Sequence, residues 1–233
     1  MIKPSVSVFF PCFNDEKTIS QLVRGAKKAL EKAAAKYEII VIDDGSTDDS
    51  RGELSKLRRE IRNLRLIFHR QNRGYGGVLR SGFKAAKYDL VFYTDGDGQY
   101  DVRDLELLFP LLTPDIDVVN GIKMERNDAW YRKLAGYGYN FLVRNLFNIR
   151  IFDVDCDFRL IRKTKLQGID LGCSSGAICV ELVKKLQDNG AGFREVTVHH
   201  YERKFGSSQF FKPKRLWQTA IELIKLWTEI YLK

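Results

Sequence analysis

The sequence predicts an α/β protein built on one mostly parallel β-sheet that is covered by helices on both faces. Three observations lead to this class. Short runs of β-branched and aromatic residues alternate with stretches of helical periodicity through the first two-thirds of the chain. These runs are apolar throughout, as expected for strands that are buried on both faces. Acidic or glycine-rich clusters directly follow three of the runs, where the carboxyl ends of parallel strands would meet.

Strands follow from the runs rich in Val, Ile, Phe and Tyr, and helices from apolar residues spaced three or four apart. We place the strands at residues 5–10, 38–42, 64–69, 88–94, 117–122, 158–162 and 193–200. We place the helices at residues 19–30, 77–86, 102–112, 128–147, 175–188 and 216–232. Thr18, followed by Gln21, predicts a capping box at the first helix, and Pro110 should end or bend the third.

Composition limits the class of protein. The 233 residues suit one domain with a sizeable core, and 44% hydrophobic residues exclude a disordered chain. The net charge of +9 favours an anionic partner. The basic residues are spread along the chain without a nucleic-acid-binding motif, so we expect no nucleic-acid partner. The four cysteines have no C-x-x-C spacing, which predicts buried, reduced thiols and no zinc site.

Two segments bear on where the protein works. Residues 1–11 lack the long apolar core and the cleavage site of a signal peptide. The most apolar late segment, residues 216–232, contains charged residues, whereas a spanning helix needs about 20 mostly apolar residues. We therefore expect a cytoplasmic protein whose last helix is amphipathic.

The first acidic cluster begins with Asp43 and Asp44, directly after the second strand. A carboxylate at this edge can accept hydrogen bonds from the N–H groups of a base ring. The same residues would also suit a plain Asx turn and a helix cap. The residues alone leave both interpretations open.

The second cluster, Asp95, Asp97 and Gln99, follows the fourth strand with the spacing i, i+2, i+4. Two carboxylates and an amide oxygen are hard ligands of the kind that Mg²⁺ and Mn²⁺ prefer. A calcium loop is the nearest alternative, but it needs glycine at its sixth position, where this chain has Tyr100. A polar turn without metal is the other alternative. The spacing favours a divalent metal site.

A third cluster, residues 73–77, is rich in glycine and enters a helix after the third strand. It is similar to a phosphate-binding loop, but it lacks the spacing of a dinucleotide fingerprint. We expect its glycines to allow close packing of the backbone.

These clusters, together with further motifs taken in chain order, are similar to the motifs of one family. They are Pro11-x-Phe13-Asn14, residues 43–48, Asn72-Arg73-Gly74 with Ser81-Gly82-Phe83, Asp95-x-Asp97-x-Gln99, and Arg203-x-x-Gly206-x-Ser208. Over nearly the whole chain this set resembles family-2 glycosyltransferases of the GT-A fold, and most of all their dolichyl- or polyprenyl-phosphate sugar synthase branch. The resemblance implies a single Rossmann-like, mostly parallel sheet flanked by helices.

The resemblance implies an inverting, metal-dependent hexosyltransferase whose donor is a nucleotide-diphosphate sugar, GDP-mannose or a UDP-sugar. Mg²⁺ or Mn²⁺ would be held by Asp95, Asp97 and Gln99. Negative charge builds up on the departing nucleotide, and a metal and an arginine can stabilise it. The implied catalytic residues are Asp97, Asp157 and Arg203. The implied donor-binding residues are Pro11, Phe13, Asn14, Asp15, Asp43, Asp44, Asp95, Gly96, Arg203 and Ser208.

The family branch implies a polyprenyl or dolichyl phosphate as the acceptor. Basic residues after the fifth strand, Lys123, Arg126 and Arg132, would bind its phosphate. A phosphate oxygen is already nucleophilic, so this acceptor needs no general base.

One departure from the family bears on the acceptor. The family's Gly-Phe-Arg is Asp157-Phe158-Arg159 in this chain. Asp157 could act as the base for a sugar hydroxyl of a glycan or polysaccharide acceptor. The acids of residues 151–162 would equally suit ion pairs with nearby arginines. The residues leave these alternatives open.

The C-terminal segment bears on membrane association. Residues 1–211 would form the catalytic domain, and residues 212–233 an amphipathic helix with tryptophans on its apolar side and basic residues before it. Such a helix suits a membrane surface, and it suits packing on the catalytic domain equally well. We expect a peripheral position on the cytoplasmic face of a membrane. A membrane-spanning partner subunit could supply further attachment there.

Overall fold

The structure is a computed structural model, which describes residues 3–124, 130–203, 205 and 213–232, with the backbone alone for residues 124 and 130–135. Its strands are β1 (Ser5–Cys12), β2 (Lys36–Asp43), β3 (Leu64–Phe68), β4 (Leu90–Thr94), β5 (Val118–Met124), β6 (Phe158–Arg162) and β7 (Phe193–His199). Its α-helices are α1 (Ile19–Ala33), α2 (Ser50–Glu60), α3 (Gly74–Ala85), α4 (Leu105–Leu108), α5 (Trp130–Phe147), α6 (Ala177–Asp188) and α7 (Pro213–Tyr231).

The strands form one sheet in the order β3-β2-β1-β4-β6-β5-β7. The first four strands of the chain are parallel to one another, as are β5 and β7, and β6 runs antiparallel to both of its neighbours. The mostly parallel sheet is therefore confirmed. Thr94 at the end of β4 pairs with Phe158 at the start of β6. Because β6 runs antiparallel to β4, Asp157, directly before β6, lies next to Asp95, directly after β4.

Helices cover both faces of the sheet, as predicted. Phe10 of β1 packs in a core with α1 and α2, whereas its neighbour Phe9 packs in the core with α3 and α6, because successive strand residues point to opposite faces. A third core joins α5, α6 and α7 through Val143, Val183 and Leu226. All four cysteines are free and buried, as expected.

Two details of the helices differ from the predictions. The capping box at Thr18 is wrong, because the Thr18 hydroxyl donates to the carbonyl oxygen of Gly96, 3.0 Å away, and does not cap α1. The helix predicted at 102–112 is divided into a 3₁₀ turn, the single turn of α4 and a second 3₁₀ turn that contains Pro110. Proline lacks the amide hydrogen that a longer helix would need at this point.

The carboxyl ends of the parallel strands lie at one edge of the sheet. Cys12 at the end of β1 pairs with Asp43 at the end of β2. On the other side of β4 and β6, β5 and β7 end together, with Met124 opposite His199. This edge therefore collects the loops that follow β1, β2, β3 and β4, the ends of β5 and β7, and the loop that precedes β6.

Candidate active site

Asp95, Asp97 and Gln99 lie on the turn that follows β4. Asp95 Oδ1 accepts a 2.7 Å hydrogen bond from the hydroxyl of Tyr75. Asp97 Oδ1 accepts one of 3.0 Å from the backbone amide of Gln99. These bonds orient both carboxylates and occupy one oxygen of each.

Arg203 supplies a positive charge to the same turn. Its guanidinium forms an ion pair with Asp97 Oδ2 and donates a 3.3 Å hydrogen bond to Gln99 Oε1. Asp97 and Gln99, two of the three residues predicted to hold a metal ion, therefore both contact the guanidinium of Arg203. Among the described residues, no group of three His, Cys, Asp or Glu side chains could hold an ion. A metal at this turn would depend on two carboxylates, one amide and substrate phosphates.

Asp157 reaches the same place from the start of β6. Its Oδ1 lies 3.2 Å from Cys179 Sγ, which donates to it. The Tyr75 hydroxyl, which donates to Asp95, lies near Asp157 as well, and the charges of the two carboxylates act on each other. Among the described residues no arginine forms an ion pair with Asp157, although the charges of Arg159 and Lys123 act on it.

Burial and mutual repulsion shift the pKa values of these acids. Burial, reinforced by the charge of Asp157, raises the pKa of Asp95 well above its usual range. Burial also raises the pKa of Asp157, and the cations of Arg159 and Lys123 oppose this rise. Burial raises the pKa of Asp15 to about 6. Several carboxylates with raised pKa values at one place are a frequent sign of a functional site, and they favour a bound cation.

Arg159 connects the strands behind the site, although its side chain is fully buried. Its Nε donates to Asn120 Oδ1 at 2.8 Å, and a terminal nitrogen donates to the Tyr93 hydroxyl at 2.6 Å. The other terminal nitrogen donates to the carbonyl oxygens of Val154 and Cys156. Arg159 thus joins β4, β5 and the loop before β6. Two sequence signals mark Arg159, which are its position inside a mostly apolar strand and its match to the arginine of the family's Gly-Phe-Arg.

The loop after β1 packs on the loop after β2 through Asn14. This residue has a φ of 59°, in the left-handed region that asparagine tolerates better than most residues. Its Oδ1 accepts a 2.8 Å hydrogen bond from the amide of Thr47, and its own amide donates to Ser46 Oγ at 3.0 Å. Two of the predicted donor loops are therefore held together.

The other predicted donor residues of this loop face the turn after β4. Asp15 Oδ2 accepts a 2.9 Å hydrogen bond from the amide of Phe13. A Cβ added to Gly96 would lie 2.2 Å from the carbonyl oxygen of Pro11 and 3.3 Å from Asp15 Oδ2. Glycine at position 96 therefore allows the turn that carries the acids to pack directly against the first loop.

Asp43 has structural partners. Its buried carboxylate pairs with Arg51 Nε at 2.6 Å and accepts from the amide of Ser46. Asp43 therefore stabilises the turn after β2 through the amide three residues later, and it does not cap α2, which begins at Ser50.

Asp44 also turns inward. Its oxygens accept hydrogen bonds from the amides of Arg73 and Gly74 at 2.9 and 3.0 Å, and Oδ1 lies 2.6 Å from His69 Nδ1. The carboxylate therefore anchors the start of α3 to the end of β2. Contacts of Asp43 and Asp44 with a donor base stay predictions.

The glycines at the start of α3 allow close packing, as predicted. The amide of Gly76 donates to the carbonyl oxygen of Ser174 at 3.0 Å. A Cβ on Gly76 would lie 2.1 Å from the carbonyl oxygen of Cys173, and one on Gly74 would lie 2.5 Å from that of Ser174. Gly74 also has a φ of 76°, which favours glycine.

Of the predicted acceptor residues, the structure describes the side chain of Lys123. Its Nζ donates to the carbonyl oxygen of Asp155 at 2.6 Å and lies 4.0 Å from Asp153 Oδ1. Arg132 belongs to α5, but its side chain is outside the described part. Arg126 and the predicted donor residue Ser208 also lie outside the described residues. The roles of these four residues stay predictions.

The C-terminal helix α7 has two apolar sides with different surroundings. Leu226 is buried, and Leu223 and Trp227 pack beside it on the core shared with α6. Trp217 and Ile224 point away from the core, with 70% and 65% of their surfaces exposed. One side of α7 therefore packs on the sheet domain, and the other faces solvent. No helix in the described part of the chain is long and apolar enough to cross a bilayer.

Glu222 fixes α7 to the loop before α6. Its carboxylate accepts hydrogen bonds from the amide and the hydroxyl of both Ser174 and Ser175, at 2.7–3.1 Å, and a further one from Gln218. Partial burial would raise the pKa of Glu222, but these hydrogen bonds outweigh it and lower the pKa to about 2. The same loop packs against α3, so Glu222 links α7 to the candidate site.

Comparison with known proteins agrees with this geometry. A family model described as Glycosyl transferase family 2 matches residues 7–169. Among solved structures, the chain is similar to glucosyl-3-phosphoglycerate synthase from Mycobacterium tuberculosis. Its complex with Mn²⁺, UDP and glucosyl-3-phosphoglycerate matches with a TM-score of 0.72 at 18% identity, over 97% of this chain and 79% of that one. Its complex with Mn²⁺ and UDP-glucose matches with a TM-score of 0.72 at 17% identity, over 97% and 78%. At these identities the likeness shows a shared fold.

Proposed function

The chain belongs to glycosyl transferase family 2, and we propose that it transfers a hexose from a nucleotide-diphosphate sugar with a divalent metal ion. The observation that carries this proposal is the convergence of Asp97 and Gln99 on a single positive charge, beside the buried carboxylate of Asp95. These oxygens fit Mg²⁺ or Mn²⁺. An ion held by them would stabilise the charge on the departing nucleotide diphosphate.

We propose GDP-mannose or a UDP-sugar as the donor. The similar mycobacterial synthase has been solved with Mn²⁺ and UDP-glucose, which supports a UDP-sugar. The loops after β1, β2 and β4 meet at one edge and would form the nucleotide site. The proposed donor-binding residues are Pro11, Phe13, Asn14, Asp15, Asp43, Asp44, Asp95, Gly96, Arg203 and Ser208.

Arg203 is the residue that we expect to bind the leaving diphosphate. Its guanidinium already lies at the metal-binding turn, and arginine donates to phosphate oxygens in a fixed fork geometry. Its bonds to Asp97 and Gln99 must open when a metal ion occupies the same oxygens. Attack by the acceptor from the side opposite the leaving group then gives inversion at the sugar carbon.

We propose a polyprenyl or dolichyl phosphate as the acceptor, used at the cytoplasmic face of a membrane. The exposed Trp217 and Ile224 of α7 support a position at a lipid surface. The acceptor phosphate would be bound by Lys123, Arg126 and Arg132. A membrane-spanning partner subunit would complete this arrangement.

A sugar hydroxyl is the second candidate acceptor, and the position of Asp157 favours it. A hydroxyl acceptor needs a base within hydrogen-bond reach of the reacting centre. Asp157 lies beside Asp95, because Thr94 and Phe158, the strand residues next to them, are paired. In this role Asp157 would take the proton of the attacking hydroxyl.

The two acceptors can be separated in one assay. The full chain is given radiolabelled UDP-glucose or GDP-mannose, with Mn²⁺ or with excess chelator, and either polyprenyl phosphate in detergent or soluble oligosaccharides. Metal-dependent label in the lipid phase that survives Asp157→Asn supports the lipid phosphate. Label in the oligosaccharides alone, lost in Asp157→Asn, supports the hydroxyl acceptor. If no label is transferred from either nucleotide sugar to any acceptor, or if the transfer is the same in excess chelator as with Mn²⁺, the proposed function is wrong.

A further inference from the structure

A cleft of about 360 Å³ lies between the start of α3 and the start of α7. The side chains that line it are basic or polar, and they are Asn72, Arg73, Ser174, Lys214, Arg215 and Gln218. None of them is among the residues proposed above for the metal, the donor or the acceptor. Arg215 donates a 3.4 Å hydrogen bond to Asn72 Oδ1 and so joins the two helix starts.

The cleft carries three basic side chains, Arg73, Lys214 and Arg215. Within the described ranges, no carboxylate forms an ion pair with any of them. The nearby acids have other partners, because Glu222 accepts from the serines before α6 and Asp44 accepts from backbone amides. The three basic side chains outnumber these two carboxylates, and the remaining positive charge attracts an anion.

An exposed apolar stripe begins at the rim of this cleft. Trp217, Ile221 and Ile224 are spaced four and three residues apart, which places them on one side of α7. Their exposed fractions are 70%, 37% and 65%. Trp217 follows Lys214 of the cleft by three residues, which makes them neighbours on the helix surface, so basic and apolar groups adjoin. Tryptophan next to basic side chains is typical of helices that lie in the interface of a bilayer.

We propose that the cleft binds the phosphate head group of a membrane lipid while Trp217, Ile221 and Ile224 enter the apolar layer beneath the head groups. The charge of the cleft matches a phosphate, and the adjoining stripe matches the lipid to which that phosphate is attached. The inference rests on the proposed function in that both require a lipid surface and both use Trp217 and Ile224, and it adds the cleft, whose basic residues are not among those proposed for the metal, the donor or the acceptor.

The position of the cleft would bring the bilayer to the reaction centre. Gly74 belongs to the cleft, and the next residue, Tyr75, donates to Asp95 of the metal-binding turn. A lipid phosphate in the cleft would therefore hold the carboxyl edge of the sheet close to the membrane.

The test is flotation of the full chain with vesicles of phosphatidylcholine, alone or with phosphatidic acid. We expect the wild-type chain to bind when phosphatidic acid is present. The double variant Lys214→Ala/Arg215→Ala should bind these vesicles about tenfold more weakly or worse, because each basic group near an anionic surface adds to binding. Ile224→Ser should weaken binding while the preference for phosphatidic acid remains.

The double variant Lys27→Ala/Lys28→Ala is the matched control. It removes the same net charge from α1, which lies on the opposite face of the sheet from α3. Equal losses in the two double variants, or a wild-type chain that does not bind vesicles with phosphatidic acid, would overturn the proposal. Thermal unfolding checks that every variant is folded. The acceptor assay in detergent contains no bilayer, so a failure of the proposed function there is distinguishable from a failure of the cleft.

Discussion

The guanidinium of Arg203 is ion-paired with the carboxylate of Asp97, 106 residues earlier in the chain. The same guanidinium donates to Gln99. A metal ion held by Asp97 and Gln99 needs the oxygens that Arg203 binds. A metal ion bound there would therefore compete with the cation of Arg203, and under the proposed function the displaced guanidinium would be free to bind the leaving diphosphate.

Arg203→Gln should separate metal binding from catalysis. Without donor, the variant should bind Mn²⁺ more tightly than the wild type, because no cation has to be displaced from Asp97. Turnover should nevertheless fall about 10²–10³-fold, as expected when one group that stabilises developing charge is lost. Calorimetric titration with Mn²⁺ and steady-state rates measure the two effects. Arg194→Gln on β7 is the matched control, and weaker Mn²⁺ binding by Arg203→Gln would contradict the competition.

Asp97→Asn should abolish both transfer and Mn²⁺ binding while the fold is retained. Asparagine keeps the acceptor oxygen for the amide of Gln99 but loses the charge that a divalent ion requires. Calorimetry, transfer assays and circular dichroism report the three properties. Asp101→Asn changes a half-buried acid that pairs with Arg103 outside the proposed metal site, and it should have little effect on Mn²⁺ binding. Full turnover of Asp97→Asn, or of the wild type in excess chelator, would show that the metal assignment is wrong.

The sequence predicts the sheet and the position of the acids well, because both depend on local pattern. Apolar runs mark the buried strands, and parallel strands must bring their carboxyl ends to one edge. Asp97 could be predicted at this edge for that reason, whereas Arg203, far from it in the chain, is placed at the site only by the resemblance to the family. The close packing at Gly76 follows from the same kind of local signal.

The partners of individual side chains could not be predicted, because they depend on pairing between distant segments. The antiparallel direction of β6 decides that Asp157 lies beside Asp95, and no periodicity within β6 shows that direction. Asp44 follows a strand as expected, yet its carboxylate turns toward the start of α3. Thr18 occupies a position that suits a helix cap, but its hydroxyl donates instead to the carbonyl oxygen of Gly96, 78 residues later in the chain.

Tyr75→Phe should weaken metal binding without unfolding the chain. The variant loses the hydroxyl that orients Asp95 and lies near Asp157. Loss of a group that orients a metal ligand typically costs about 10–100-fold in metal affinity, and we expect an effect of this size for Mn²⁺. Calorimetric titration with Mn²⁺ measures it, with Tyr88→Phe as the control. Unchanged affinity would mean that Tyr75 does not position Asp95.

Glu222→Gln should destabilise the chain at neutral pH, and the loss should disappear in acid. The hydrogen bonds from Ser174 and Ser175 lower the pKa of Glu222 from its usual 4.5 to about 2. A carboxyl group whose pKa is lower in the folded state stabilises that state at pH values above its unfolded pKa. The contribution therefore decreases as the pH falls from about 4.5 through about 2. We expect a loss of about 1–2 kcal/mol at pH 7, because partial exposure to water screens the carboxylate.

Urea unfolding of Glu222→Gln and the wild type between pH 7 and acid measures this difference. Glu229→Gln on the same helix is the control, and it should match the wild type at every pH. A destabilisation of Glu222→Gln that stays constant as the pH falls would mean that the substitution disturbs packing of α7, not the charge of Glu222. Equal stability at pH 7 would mean that the bonds to Ser174 and Ser175 do not hold α7 in place. The expected pH dependence, in contrast, would identify the carboxylate as the group that fixes α7, and with it the basic cleft, beside the start of α3.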